Sequence, residues 1–212
     1  MKTLYIDTSS SFLYAGILED TNVLQEVKKE FGQDLSKEAL PEIDKLFKKA
    51  KLNPKDINRI VVVNGPGSFT GIRIGITIAK TYAWALNLDI ITVNALEAMS
   101  ISCEEKINHV PILDARRGYV FAAIYDKDSN IILKPQHILL EELQKELNKI
   151  DEYIVISNDE IDEFEDIYKY DPNISKIVEK VNNRKPINPH AVNPEYLKLT
   201  EAEESKLNDN RV

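Results

Sequence analysis

A single cysteine, Cys103, stands in this chain of 212 residues. It excludes an internal disulfide and fits a reducing compartment. No run of about 18 apolar residues is present, so no membrane-spanning helix is expected. The opening MKTLYIDTSSSF is too short and too polar to predict a signal peptide, and the expected location is the cytoplasm. Basic side chains are outnumbered, 27 Lys and Arg against 35 Asp and Glu, for a formal net charge of -8. That balance argues against this chain alone gripping a nucleic acid by its phosphates. His109, His137 and His190 have no paired metal-ligand spacing, and Cys103 belongs to no metal motif. A metallopeptidase therefore has no ligand set here. Also missing are a Gly-x-Ser-x-Gly elbow, a GxGxxG fingerprint and the Gly-Lys-Ser/Thr ending of a Walker loop.

The remainder is an ordinary globular composition, 43% hydrophobic and 29% charged, long enough for one large domain or two small ones. Strands are predicted at 3–7, about 12–18 and 23–30, with a polar turn from Asp7 to Ser11. A helix follows to Ala50, with Leu40, Ile43, Leu46 and Phe47 at helical spacing, Ser36 as N-cap and Pro41 absorbed near its start. Ile60–Val63 is a buried parallel-type strand, and Gly65-Pro66-Gly67 is a turn. A helix over about 70–86, a strand at 90–93 and a helix at 96–103 complete a crossover unit. The pattern then partly restarts: a strand from Val110 ending at Asp114, the turn Arg116-Arg117-Gly118, and a return strand at 119–125. Residues 139–149 read as a helix and 153–156 as a strand. Residues 159–170 read as an acidic helix or solvated loop, 182–194 as loop, and 201–212 as a fraying end.

Three features carry candidate chemistry. Asp7-Thr8-Ser9 puts a carboxylate at a strand end beside hydroxyls and turn N–H groups, a set able to meet a Mg²⁺–phosphate group. Asp114 holds the equivalent place in the second half. Two such turns facing one cleft would define a duplicated ATPase fold of the actin, Hsp70 and sugar-kinase type; alternatively each Asp only caps its turn. Second, Gly65, Gly67 and Ser68 lie at a helix N-terminus, a natural anion site, although Ser68 or Thr70 could simply cap the helix. Third, at about 100° per residue, Ile72, Gly75, Ile76, Ala79, Tyr82, Ala83 and Leu86 form one apolar face. Ile74, Ile78 and Ala85 widen it to roughly 200°. Gly71, Gly75, Ala79 and Ala83 recur every fourth residue, spacing that lets another element approach closely. That element is either this chain's own sheet and first helix or a partner. The isolated histidines, the exposed pair Arg116-Arg117, and Glu97 at a helix start take structural readings.

At these residues the chain resembles the TsaB family, also called YeaZ. The matching segments are LYIDTSS at 4–10, NGPGSFTGIRIGITIAKTYAWALN at 64–87, LDARRGYVFAAIYD at 113–126 and NPEYLKL at 193–199. The chain departs from the family at Leu35-Ser36, where a His-Ser-type pair is common, and at Lys198, where Arg is common. Residues 126–190 carry little family signal.

The resemblance implies an α/β fold of the duplicated ASKHA (RNase H-like) type. Its two lobes, 1–103 and 104–212, would each hold a mixed sheet flanked by helices. It implies a non-catalytic subunit in threonylcarbamoylation of adenosine 37 of ANN-decoding tRNAs. Its partners would be the catalytic TsaD and the ATPase TsaE, with tRNA reached only through the complex and a homodimer formed in isolation. TsaD-type proteins hold their metal with a His-x-x-x-His pair that aligns here with Ala95 and Met99, neither of which offers N or O to a metal. No catalytic residue, metal or strongly held cofactor is then expected on this chain alone, with ATP or ADP possible within the complex. The family's partner contact uses the two N-lobe helices, here through Ala39, Ile43, Phe47, Gly71, Ile72, Gly75, Ile76, Ala79 and Ala83. On that reading Gly75→Leu would block pairing and leave the fold intact. The alternative is an independent ATPase or small-molecule kinase working between Asp7 and Asp114.

Overall fold

The computed structural model describes residues 1–198; the end at 201–212, expected to fray, lies outside the described residues. Strands β1 (Lys2–Asp7), β2 (Phe12–Glu19) and β3 (Asn22–Glu30) form the predicted antiparallel meander. Helix α1 (Leu35–Ala50), β4 (Arg59–Val63), α2 (Phe69–Leu86), β5 (Asp89–Val93) and α3 (Ala95–Ser102) follow. Strand β4 runs parallel to β1 and β5, giving the order β3-β2-β1-β4-β5. The second half contains β6 (Asn108–Asp114), β7 (Tyr119–Tyr125), β8 (Ile131–Leu139), α4 (Leu140–Leu147), β9 (Tyr153–Ile156) and β10 (Ile167–Tyr168). Its sheet runs β10-β9-β6-β7-β8. Counted from its own first strand, each sheet reads third, second, first, fourth, fifth, with the same parallel and antiparallel pairings. The expected duplicated α/β fold is what forms.

Both faces of the first sheet are covered, which is why Ile60–Val63 is continuously apolar. Leu4, Ile6, Ile60 and Val62 pack under α1 and α2, with Ile43, Phe47, Ile72, Ile76 and Ala79. Tyr5, Val61, Val63 and Ile91 pack under α3 and a last helix, α5 (Ile174–Val181), through Ala98, Ile177 and Val181. Helix α5 thus returns from the second half of the chain to the first sheet.

Four details differ from the sequence reading. Helix α1 begins at Leu35 after a 3₁₀ turn at Gly32–Asp34, so Ser36 lies inside the helix rather than capping it. Pro41 falls beyond the first turn; the hydrogen bond it removes would have reached the carbonyl of exposed Lys37. Strand β8 was not expected because Pro135 interrupts it, and as the sheet edge it tolerates the missing N–H. Helix α5 was not expected, because its eight residues are too few for a clear period. Residues 159–170 take the loop alternative, as turns that lead into and out of the short strand β10.

The small-residue stripe of α2 has an intramolecular cause. A Cβ on Gly71 would lie inside contact distance of the Thr8 carbonyl oxygen, and one on Gly75 would meet Thr8 Oγ1. Thr8 Oγ1 donates to the Gly71 carbonyl at 2.7 Å. The helix backbone therefore rests directly on the end of β1, and any side chain at Gly75 forces them apart. The expectation that Gly75→Leu leaves the fold intact is corrected accordingly. Gly75→Ala should destabilise the chain by about 1–3 kcal/mol through overpacking. Adding Thr8→Ala, which removes the opposing oxygen, should restore part of that loss. Urea unfolding of the two single variants and the double would then give a coupling of about 0.5–3 kcal/mol; additive losses would show that the two side chains do not meet.

Candidate functional site

The two strand-end aspartates form the same turn in both halves. Asp7 Oδ1 accepts from the Ser9 N–H at 2.8 Å, and Asp114 Oδ1 accepts from the Arg116 N–H at 2.8 Å. Their surroundings differ. Asp7 and Thr8 are buried, the Ser9 hydroxyl donates to Asp7 Oδ1 at 2.7 Å, and burial raises the Asp7 carboxyl above its ordinary range against the pull of those hydrogen bonds. Gly67, at a φ of 147° that L side chains avoid, packs against the Ser9 carbonyl, which also accepts from the Ser68 N–H at 2.6 Å. Ser68 Oγ accepts from the Gly71 N–H at 3.2 Å and so caps α2. The Gly65 carbonyl accepts from Ala95 N–H at 2.7 Å.

Of the seven candidate phosphate contacts, Ser9, Gly67, Ser68 and Asp114 line one interlobe cleft of about 710 Å³. Asp7, Thr8 and Gly65 lie beneath its wall and do not line it. The charged residues lining it are Glu30, Asp114, Asp159 and Arg116, a balance that opposes a polyanionic ligand. The metal that the fold family implies does not fit the residues present. Ala95 and Met99 are packed in the core at 4% and 2% exposure, and among the described residues no group of three or more His, Cys, Asp or Glu could hold an ion.

The nine candidate interface residues are likewise not at the surface. Ala39, Ile43, Phe47, Gly71, Ile72, Gly75, Ile76, Ala79 and Ala83 are all buried inside the chain, because they face the first sheet and the contact between α1 and α2. The surface of this helix pair comes from the other side of the apolar arc. Leu40, Ile78, Tyr82, Ala85 and Leu86 line an apolar groove of about 420 Å³ beside Pro54. Trp84 is 70% exposed, and Phe69 and Leu40 about half exposed. Of the three residues that widened the predicted arc, Ile78 and Ala85 line this groove, joined by Tyr82 and Leu86 from the narrower face, whereas Ile74 packs against the core.

The last described segment is a strap over the first lobe. Ile187 N–H donates to the Ile90 carbonyl at 2.8 Å, and Glu195 N–H to the Asn64 carbonyl at 2.7 Å. Arg59 donates to Asn182, Lys80 to the His190 and Val192 carbonyls, and Arg73 Nε to the Tyr196 hydroxyl. Arg184 pairs with Glu97. His109 is buried between the Ser100 hydroxyl and the Glu105 carbonyl, His137 stacks on Tyr119, and burial pushes the Cys103 thiol up. Arg116 and Arg117 are exposed in a left-handed turn. Among the described residues no helix is long and apolar enough to cross a membrane.

Two lobes with one repeated sheet order define the class, a duplicated ASKHA-type fold. A family model described as TsaD, tRNA N6-adenosine threonylcarbamoyltransferase, matches residues 27–185. The chain is 29% identical to the tRNA threonylcarbamoyladenosine biosynthesis protein TsaB of Bacillus subtilis over 96% of each chain. It is 31% identical to TsaB of Escherichia coli over 68% of this chain and 67% of that one. A Pseudomonas aeruginosa structure described as similar to peptidase YEAZ superposes with a TM-score of 0.76 at 15% identity, covering 93% of this chain and 99% of that one. The chain belongs to the TsaB (YeaZ) family, within the wider TsaD group.

A carboxyl raised by folding adds stability only where it is protonated. The contribution is present below the ordinary carboxyl range and is lost as pH rises through the raised value. Asp7→Asn keeps an oxygen for Ser9, so it should be more stable than the parent at neutral pH, with the difference vanishing in acid. Denaturant melts across pH check this; a variant less stable at neutral pH would mean the ionised carboxylate is needed.

Proposed function

We propose that this chain is the non-catalytic partner of a TsaD-type enzyme in threonylcarbamoyladenosine biosynthesis. It acts in the cytoplasm, docking through the outward face of α1 and α2. TsaE joins the assembly, and the tRNA is reached through the complex. The observation that carries this reading is the apolar groove between the two helices, lined by Leu40, Ile78, Tyr82, Ala85 and Leu86. Burying such a surface is the usual role of an apolar patch that the fold leaves open. Without the partner, the same face pairs two copies of the chain. We also take the lobe boundary to lie near residue 103, with α5 and the strap returning to the first lobe.

An independent ATPase between Asp7 and Asp114 has less support, because Asp7 is sealed under Ser9 and three of the four charged residues lining the cleft are carboxylates. Any ADP or ATP in the complex is therefore assigned to the partner's side.

Light scattering of this protein mixed with the TsaD of the same organism should give a 1:1 complex. Ala85→Arg, which adds a charge to the groove without touching the core, should weaken that complex by at least about tenfold and leave thermal unfolding unchanged. Absence of a complex with the unaltered protein would overturn the reading.

A further inference from the structure

Arg73 is exposed on α2 but held flat. Its guanidinium carbon lies 3.7 Å from the Phe69 ring centroid and 5.7 Å from that of Tyr196. Nε donates to the Tyr196 hydroxyl at 2.7 Å, and the two rings stack at 5.3 Å. That bond uses one of the five guanidinium N–H donors. Among the described residues no carboxylate pairs with Arg73, so the terminal fork is unengaged.

We propose that this clamp, on the strap side of α2, is the receptor for a carboxylate side chain of a distinct partner protein that sits on the α1/α2 groove and reaches across α2 by way of Thr77 and Thr81, which line both sides. The proposal rests on the docking reading above and names what the partner must present there. The guanidinium is already oriented by two rings and a hydroxyl, so little freedom is lost when a carboxylate meets the fork bidentately. Helix α2 carries Arg73 and Lys80 and no Asp or Glu, and Lys80 is already bonded to two strap carbonyls. The complementary charge must come from outside α2.

A second copy of this chain is a poor source. On its α1, Glu42 pairs with Lys45 and Asp44 with Lys48, leaving only Glu38 uncommitted. A phosphate backbone is also a poor match. The clamp is set among exposed aromatics, Phe69, Tyr196 and, along the same helix, Trp84. That is the Trp, Tyr and Arg composition of a protein–protein hot spot, whereas the chain's net charge is -8.

The test is calorimetric titration of the full chain with the TsaD of the same organism, using the unaltered protein, Arg73→Ala and Arg73→Lys. Arg73→Ala should weaken binding on the order of 30-fold, while the loss of its Phe69 and Tyr196 contacts lowers the melting temperature by no more than about 4 °C. Arg73→Lys should recover little, because an ammonium cannot replace the planar fork. A zero-length carbodiimide cross-link from position 73 of R73K, mapped by mass spectrometry, should fall on an Asp or Glu of the partner. Tight binding by the unaltered protein and equally tight binding by Arg73→Ala would overturn this proposal and leave the docking reading standing. No binding by the unaltered protein would overturn both. A cross-link to Glu38 of another copy would overturn the distinct partner. Loss of tRNA binding with partner affinity intact would assign the fork to phosphate and overturn the carboxylate.

Discussion

The seat of α2 on Thr8 decides most of what surrounds it. A threonine at the end of β1 bonds to a helix carbonyl, and two glycines let the helix backbone come that close. With the helix so near, its N-terminal loop reaches the first-half turn, and Ser68 bonds to the Ser9 carbonyl. That closure buries Asp7. The same seating turns Gly71, Gly75, Ala79 and Ala83 inward together with Ile72 and Ile76, and leaves Ile78, Tyr82, Ala85 and Leu86 to line the outer groove. One close contact thus closes the turn after β1 over Asp7 and leaves an apolar groove on the outer side of α2.

Much of this was legible in residue patterns. The β-branched run Ile60–Val63 and the strand-end aspartates Asp7 and Asp114 carried the duplicated topology, because sheet burial and turn chemistry are local. The direction of the small-residue stripe was not legible. Spacing says that something lies close to Gly71 and Gly75, but only the tertiary fold identifies it as Thr8. Residues Ile74, Ile78 and Ala85 looked like a margin of the helix face, and two of them, Ile78 and Ala85, line the groove. The Arg73 clamp was likewise hidden, because Phe69 and Tyr196 are 127 positions apart in the numbering and meet only through the strap. Helix α5 and strand β8 escaped notice because short helices and proline-interrupted edges have weak periodicity.

The two halves have kept their topology and diverged in their lids. In each, the loop after the fourth strand closes on the turn after the first. In the first half this is Ser68 N–H on the Ser9 carbonyl; in the second it is the Asp159 carboxylate accepting from Asp114 N–H at 2.8 Å. A backbone lid can pack tightly and exclude water, and Asp7 is sealed. A side-chain lid over an exposed turn cannot, and Asp114 remains in the cleft wall. The asymmetry therefore arises from the loops, with no change in the sheets.

Helix α5 also sets an order of assembly. It covers Tyr5, Val61 and Ile91 from the far end of the chain. On a ribosome, the first sheet and its α1/α2 layer emerge long before residues 174–181 are made. Until then one broad face of that sheet has only α3 for cover. The nascent first half is thus a half-finished sandwich, closed only once residues 174–181 have been made. The first sheet therefore completes its packing through long-range contacts that form only after α5 has emerged.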